Sequence, residues 1–174
     1  MDIAYALHAP SLETVFNMIP ESVLKRESME ARGSVKMEGD VKGWYGKQQM
    51  PAVTLKVQID KASAKYDKLP YGIDNFTADF YAFVDLMRKQ PSYADLKIFH
   101  FQGAHTDILA DAKIMNLLED PDITFNTKSK VDLTALAQAF PLQEGVTIGG
   151  DLEADLRLKC RLSSICLLYT SPSP

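Results

Sequence analysis

The sequence predicts a mainly β protein: an elongated, curved antiparallel sheet that forms a repeating β-groove, with short amphipathic helices at its turns. Apolar and polar residues alternate with a period of two over most of the chain. Turn-forming sequences, such as residues 69–72 and 90–92, separate the alternating segments. Two helix-forming segments that end in proline interrupt the pattern. Because each strand has one apolar side, the sheet is expected to be solvated on the other side.

Six segments show the alternation most clearly. Their apolar positions are, in chain order, Val35, Met37 and Val41; Val53, Leu55, Val57 and Ile59; Phe76, Ala78, Phe80, Ala82 and Val84; Leu96 and Ile98; Ile123 and Phe125; and Ile148, Leu152, Ala154, Leu156 and Leu158. Phe99 and Phe101 have the opposite parity to Leu96, so that strand is predicted to be apolar on both faces. The apolar residues of segment 107–118 fit both the period of two that is typical of a strand and the period of 3.6 that is typical of a helix. We predict a strand that ends in a short helical turn, because Pro121 disfavours a helix before it.

The two helix-forming segments match each other at an offset of 121 residues. Ser11 is predicted to cap a helix over residues 12–19 before Pro20, and Asp132 to cap one over residues 133–140 before Pro141. A glycine-containing alternating strand follows each helix. This recurrence favours a repeating architecture, in which one unit cannot bury its apolar face alone.

Composition argues against several classes of protein. The net charge of −4 gives no basic face for a nucleic-acid partner. No apolar run approaches the length that spans a bilayer, and residues 1–10 lack the pattern of a signal peptide. The targeting segment of an exported parent protein is therefore expected upstream. Cys160 and Cys166 form neither a disulfide framework nor a metal-ligand spacing.

Residue types that could carry chemistry are present without a catalytic arrangement. His100 and His105 have opposite strand parity, so they are expected to face opposite sides of the sheet as surface histidines. The carboxylates around Pro121 lack the spacing of a calcium loop and are expected to be a solvated turn. Residues 145–150 lack the lysine of a phosphate-binding loop. We therefore assign no catalytic, metal or cofactor-binding residue and expect no enzyme; a glycan hydrolase with converging carboxylates is the third-ranked hypothesis.

The apolar face itself is the candidate site. A long sheet must cover its apolar side with a helix, a second sheet or a ligand. One interpretation is a groove for acyl chains, and the other is the core of an ordinary β-sandwich. The candidate groove residues are Val53, Leu55, Val57, Phe80 and Phe125.

Residues 51–159 carry short motifs that resemble the C-terminal region of AsmA-family proteins, especially those of Bacteroidetes-type envelopes. The motifs are Ala64-Lys65-Tyr66, Leu69-Pro70-Tyr71-Gly72-Ile73-Asp74-Asn75-Phe76, Leu117-Leu118-Glu119-Asp120-Pro121, Val131-Asp132-Leu133, Phe140-Pro141-Leu142 and Gly149-Gly150-Asp151-Leu152. Residues 11–42 resemble an earlier unit of the same array. Residues 1–165 are therefore interpreted as a fragment of an AsmA-like periplasmic region.

The resemblance implies a periplasmic protein that is anchored in the inner membrane by an N-terminal helix and has no catalytic set. The family is similar to bridge-like lipid-transfer proteins and is associated with outer-membrane biogenesis. The expected partner is a phospholipid or another acyl-chain lipid in an apolar β-groove. The alternative is a periplasmic interaction scaffold for envelope proteins, which would regulate the assembly or targeting of outer-membrane proteins.

Residues 166–174 differ in texture from the rest of the chain and end in a Ser-Pro repeat. They resemble a translated sequencing adapter, because they back-translate into a transposase mosaic end. We expect this tail to be a disordered artefact and exclude it from the fold prediction.

Overall fold

In the computed structural model, the described residues are 2–13, 29–43, 46, 50–66, 70–139 and 148–164. They form a single antiparallel sheet of eight strands in chain order. The strands are β1 (Asp2–Ala9), β2 (Met29–Lys42), β3 (Ala52–Tyr66), β4 (Ile73–Asp85), β5 (Tyr93–Gly103), β6 (Thr106–Met115), β7 (Asp122–Asp132) and β8 (Asp151–Arg161). The predicted class, a mainly β chain with an antiparallel curved sheet, is confirmed.

Strand β1 was not among the predicted strands. Ile3, Tyr5 and Leu7 alternate there with Ala4 and Ala6. Because alanine is not polar, this segment does not show the alternation of apolar and polar residues that predicts a strand. Register with β2 places Leu7 opposite Met37. The strand thus extends the apolar face to the first residues of the described chain.

The register aligns the apolar positions of successive strands into transverse rows. Directly paired residues of antiparallel strands project from the same face of the sheet. One row crosses all eight strands through Leu7, Met37, Val57, Phe80, Leu96, Ala112, Phe125 and Leu158. At about 4.8 Å between neighbouring strands, this row is roughly 34 Å long.

The predicted division of β5, with Leu96 and Ile98 on one face and Phe99 and Phe101 on the other, was wrong, because a bulge reverses the parity of the strand. Ile98 instead lies across from Asp79, on the face opposite to Leu96. Phe80 pairs with Leu96, whereas Asp79 pairs with Ile98, so Lys97 is the extra residue. One inserted residue switches the face of every side chain that follows it. Phe99 and Phe101 therefore share the apolar face with Leu96.

A second irregularity lies where β2 and β3 both shift register. Lys61 has a φ of 47° and Gly33 a φ of 110°. A Cβ atom built on Gly33 would lie 2.5 Å from the Cα atom of Ala62. Position 33 therefore requires glycine for both its backbone conformation and the close approach of β3. Bulges of this kind increase the local twist and curvature of a sheet.

Both predicted helix starts are seen in the structure. The Ser11 hydroxyl accepts the backbone N–H of Glu13 at 3.2 Å, and residues 14–19 of that predicted helix lie outside the described residues. The carboxylate of Asp132 accepts the N–H groups of Thr134 and Ala135 at 2.9 Å each, which caps helix α1 (Leu133–Ala139). Both connections lie at the same end of the sheet, because β1 and β7 run in the same direction.

The described part of the chain has almost no enclosed core. Its buried apolar residues are five alanines: Ala9, Ala62, Ala104, Ala110 and Ala135. Tyr71 packs against two of them where α1 meets the end of the sheet. Within the described residues the sheet is a single layer, and only α1 packs at its end, so no second layer covers either face.

Candidate functional site: the apolar face of the sheet

Four of the five predicted groove residues lie together on adjacent strands. Val53, Leu55 and Val57 project from β3, and Phe80 projects from β4 directly opposite Val57. All four side chains are half-buried. Phe125 lies on β7, and Leu96 of β5 and Ala112 of β6 connect it to Phe80 in one row. The five side chains therefore belong to one continuous surface.

The structure adds aromatic residues that sequence parity had placed on the wrong face. Phe99 packs edge-on against Phe76, with 5.4 Å between the ring centroids. Phe101 pairs with Phe76 across the strands and with Ile108 of β6. Only the pairing of β5 with β4 and β6 reveals them, because the bulge has no glycine or proline to mark it in the sequence.

Exposure on this face increases toward the two outer strands. Leu152, Leu156 and Leu158 of β8 are 49%, 50% and 41% exposed, and Ile3 and Leu7 of β1 are 43% and 46% exposed. Side chains on the central strands are half-buried because they have neighbours on both sides. Large exposed apolar surfaces of this kind mark contacts with ligands, membranes or proteins.

The opposite face of the sheet carries the ion pairs between neighbouring strands. Two shallow, adjoining recesses of about 400 and 370 Å³ lie over β6, β7 and β8. Lys130 and Lys128 line them and pair with Glu153 at 2.8 Å and with Asp155 at 3.6 Å. The Glu153 carboxylate raises the pKa of Lys130. Leu109, which is exposed, also lines both recesses. The continuous row of apolar side chains lies on the other face of the sheet, and the candidate site is therefore placed there.

The histidines are separate surface groups. His100 Nε2 lies 3.1 Å from the carboxylate of Asp107 on the charged face. His105 lies in the β5–β6 turn, 3.3 Å from Asp132. The parity argument does not apply to His105, since this residue is not in a strand. Within the described ranges, no group of three or more potential metal-ligating side chains comes together.

The acidic turn around Pro121 has a structural role. The Arg161 guanidinium donates to Asp122 at 3.0 Å and lowers the pKa of that carboxyl, and Asn116 adds a further hydrogen bond. Asp120 accepts both the backbone N–H and the hydroxyl of Ser163, at 3.0 and 2.8 Å. The turn therefore attaches the end of β8 to the β6–β7 loop.

The site is thus a broad apolar surface on one side of an open eight-stranded sheet. No helix in this part of the chain is both long and apolar enough to cross a membrane. Comparisons with family models, curated proteins and solved structures give no match.

Proposed function

We propose that the apolar face holds or conducts the acyl chains of phospholipid, and that the chain is a non-enzymatic envelope protein of the AsmA type that contributes to outer-membrane biogenesis. One observation supports this most directly: the apolar face runs across eight strands, and in the described residues no apolar side chain larger than alanine is buried. Each methylene group that leaves water for such a surface contributes about 0.8 kcal/mol.

The dimensions of the surface suit an acyl chain. The transverse row is roughly 34 Å long, whereas one leaflet of hydrocarbon is only about 15 Å thick. A phospholipid can therefore lie across several strands with its chains on the apolar side chains. Its headgroup would remain in water beyond the sheet edge.

The proposed location follows from the resemblance to the AsmA family. We place the chain in the periplasm, with inner-membrane anchoring by a helix of the full-length parent. Phospholipid is the proposed partner, and envelope proteins are additional candidates. No cofactor takes part in this proposal.

Photo-crosslinking tests the proposed lipid contact. Benzoylphenylalanine replaces Val57 or Phe125 on the apolar face, and the protein is irradiated with vesicles of phosphatidylethanolamine and phosphatidylglycerol. Matched controls carry the probe at Lys56 or Thr124, the adjacent residues that face the charged side. We expect lipid adducts at positions 57 and 125 and few at the controls. Equal labelling on both faces, or none at position 57 or 125, would count against the proposal.

The second candidate function is a scaffold that binds envelope proteins during outer-membrane protein assembly. The outer edges of β1 and β8, which have no neighbouring strand within the described sheet, favour it. Such edges can accept an extended segment of a partner by adding a strand. The same probes distinguish the two functions: covalent adducts with an unfolded outer-membrane barrel protein, without lipid adducts, would favour the scaffold.

A further inference from the structure

On the charged face of the sheet, the first half of strand β8 is acidic and the second half is basic. Three acidic residues come first and three basic residues follow, all on one face and all exposed: Asp151, Glu153, Asp155, Arg157, Lys159 and Arg161. An antiparallel strand with the same order would meet each charge with its opposite. The strand is therefore complementary to itself.

Only some of the charged residues of β8 form ion pairs with β7. Glu153 and Asp155 pair with lysines of β7, and Arg161 pairs with Asp122. Arg157 faces Asn126, and Lys159 faces Thr124, so neither cation has a carboxylate directly opposite on β7. The other edge of β8 has no neighbouring strand among the described residues.

We infer that two copies of the chain pair through β8, antiparallel, about a twofold axis at Leu156. In this register Asp151 meets Arg161 of the second copy, Glu153 meets its Lys159, and Asp155 meets its Arg157. Opposite charges directly across antiparallel strands stabilise the pair, and like charges destabilise it. A shift by two residues would set Asp155 against Asp155 or Arg157 against Arg157, so the charges select one register.

The same pairing joins the two apolar faces. A twofold axis normal to the sheet keeps the apolar side of both copies on the same side. Leu156 then meets Leu156 of the second copy, and Leu158 meets its Ala154. The exposed leucines of β8, among the most exposed apolar residues of the described chain, gain apolar neighbours. This inference is independent of the proposed function, because it requires no ligand on the apolar face.

The edge of β1 offers a poorer partner. Its residues on the charged face are Asp2, Ala4, Ala6 and His8. If β1 of a second copy paired with β8 so that Asp2 met Arg161, then Ala4 and Ala6 would meet Lys159 and Arg157. A head-to-tail array therefore leaves two cations without partners, whereas the twofold pair matches all six charges of each strand.

Sedimentation velocity over a concentration series tests the dimer. We expect wild-type dimers that weaken with added salt, since exposed ion pairs are screened. The variant Arg157→Glu/Lys159→Glu should weaken dimerisation roughly tenfold or more, because it creates like-charge pairs. The control Lys65→Glu/Lys97→Glu makes the same change in net charge at exposed positions far from β8 and should leave the dimer intact. A monomeric wild type, or equal effects of the two variants, would overturn the inference.

Two variants of β8 with opposite charge changes should pair with each other when they are mixed. The variant Glu153→Lys/Asp155→Lys should also be monomeric alone, yet it should form a heterodimer with Arg157→Glu/Lys159→Glu, because every changed pair is then attractive. Circular dichroism checks that both variants are folded. Failure of two folded variants to associate would contradict the proposed register.

A cross-link at the axis gives an independent test. In a background with Cys160→Ser and Cys166→Ser, the variant Leu156→Cys should form a disulfide-linked dimer on oxidation, since position 156 meets itself. Leu152→Cys is the matched control, because the two copies of position 152 would lie roughly 27 Å apart along the strands. Cross-linking of the control but not of Leu156→Cys would exclude the twofold register, and so would cross-linking of neither.

Discussion

At the scale of single residues, Asp85 organises the loop between β4 and β5. It is only 7% exposed, and its carboxylate accepts the backbone N–H groups of Met87, Lys89 and Gln90 at 2.9, 3.0 and 2.9 Å. The N–H of Asp85 itself donates to the hydroxyl of Ser92 at 2.9 Å. One side chain therefore satisfies three N–H groups of this loop, in which Arg88 has a φ of 56°.

Replacing Asp85 with alanine should destabilise the protein by about 2 kcal/mol, because the variant leaves these N–H groups without their acceptor. Urea unfolding followed by circular dichroism measures the loss. Asp74→Ala is the control, since Asp74 is exposed near the opposite end of the same strand, and its effect should be close to zero. Equal losses in the two variants would contradict the role assigned to Asp85.

At the scale of elements, α1 depends on its first turn. The pKa of Asp132 is lowered, chiefly by the N–H of Ala135 and further by His105 and by the N–H of Thr134. A lowered pKa in the folded state means that folding favours the charged carboxylate. Its contribution to stability is complete at neutral pH and is lost as the pH falls through the folded-state pKa, below the range of an ordinary aspartate.

Two substitutions at Asp132 separate charge from hydrogen bonding. Asp132→Asn retains a cap acceptor without charge, whereas Asp132→Ala removes both. At neutral pH, we expect thermal stability to decrease from the wild type to Asp132→Asn and further to Asp132→Ala. In strong acid, the advantage of the wild type over Asp132→Asn should disappear. Circular dichroism melts at both pH values test this, and an advantage that is the same at both would contradict it.

The strands and helices also show where the alternation of residues in the sequence predicts the structure correctly and where it does not. Alternation identified the segments that became β2 to β5, β7 and β8, and the ambiguous segment before Pro121 forms β6 followed by a turn, as predicted. The capping residues Ser11 and Asp132 were identified correctly because caps depend on local hydrogen bonds. The bulge at Lys97 was missed because it arises from pairing with two neighbouring strands, which no local pattern records.

At the scale of the whole molecule, we expect local stability to decrease from the middle of the sheet to its edges. Each central strand has two hydrogen-bonded neighbours, whereas β1 and β8 each have one within the described sheet. On the apolar face, the exposure of large side chains follows the same trend. In a single-layer sheet, no second layer compensates for the missing neighbour, so the edge strands should open first.

Hydrogen exchange measured by mass spectrometry tests this gradient. At low protein concentration, amides of β4 and β5 should exchange slowest and those of β1 and β8 fastest. At higher concentration, β8 should gain protection because the second copy pairs with it, and β1 should not. Protection of both edges, or of neither, would contradict twofold pairing through β8.

The sequence alone determined the class of the fold, the apolar side of most strands and the starts of two helices, because alternation and capping are properties of neighbouring residues. It could not identify β1, whose alanines blur the alternation, or the aromatic residues that the β5 bulge moves to the apolar face. The tertiary structure decided the register, and with it the row that joins Val57, Phe80 and Phe125. Register depends on hydrogen bonds between strands distant in sequence, and a single inserted residue changes which face every later side chain occupies.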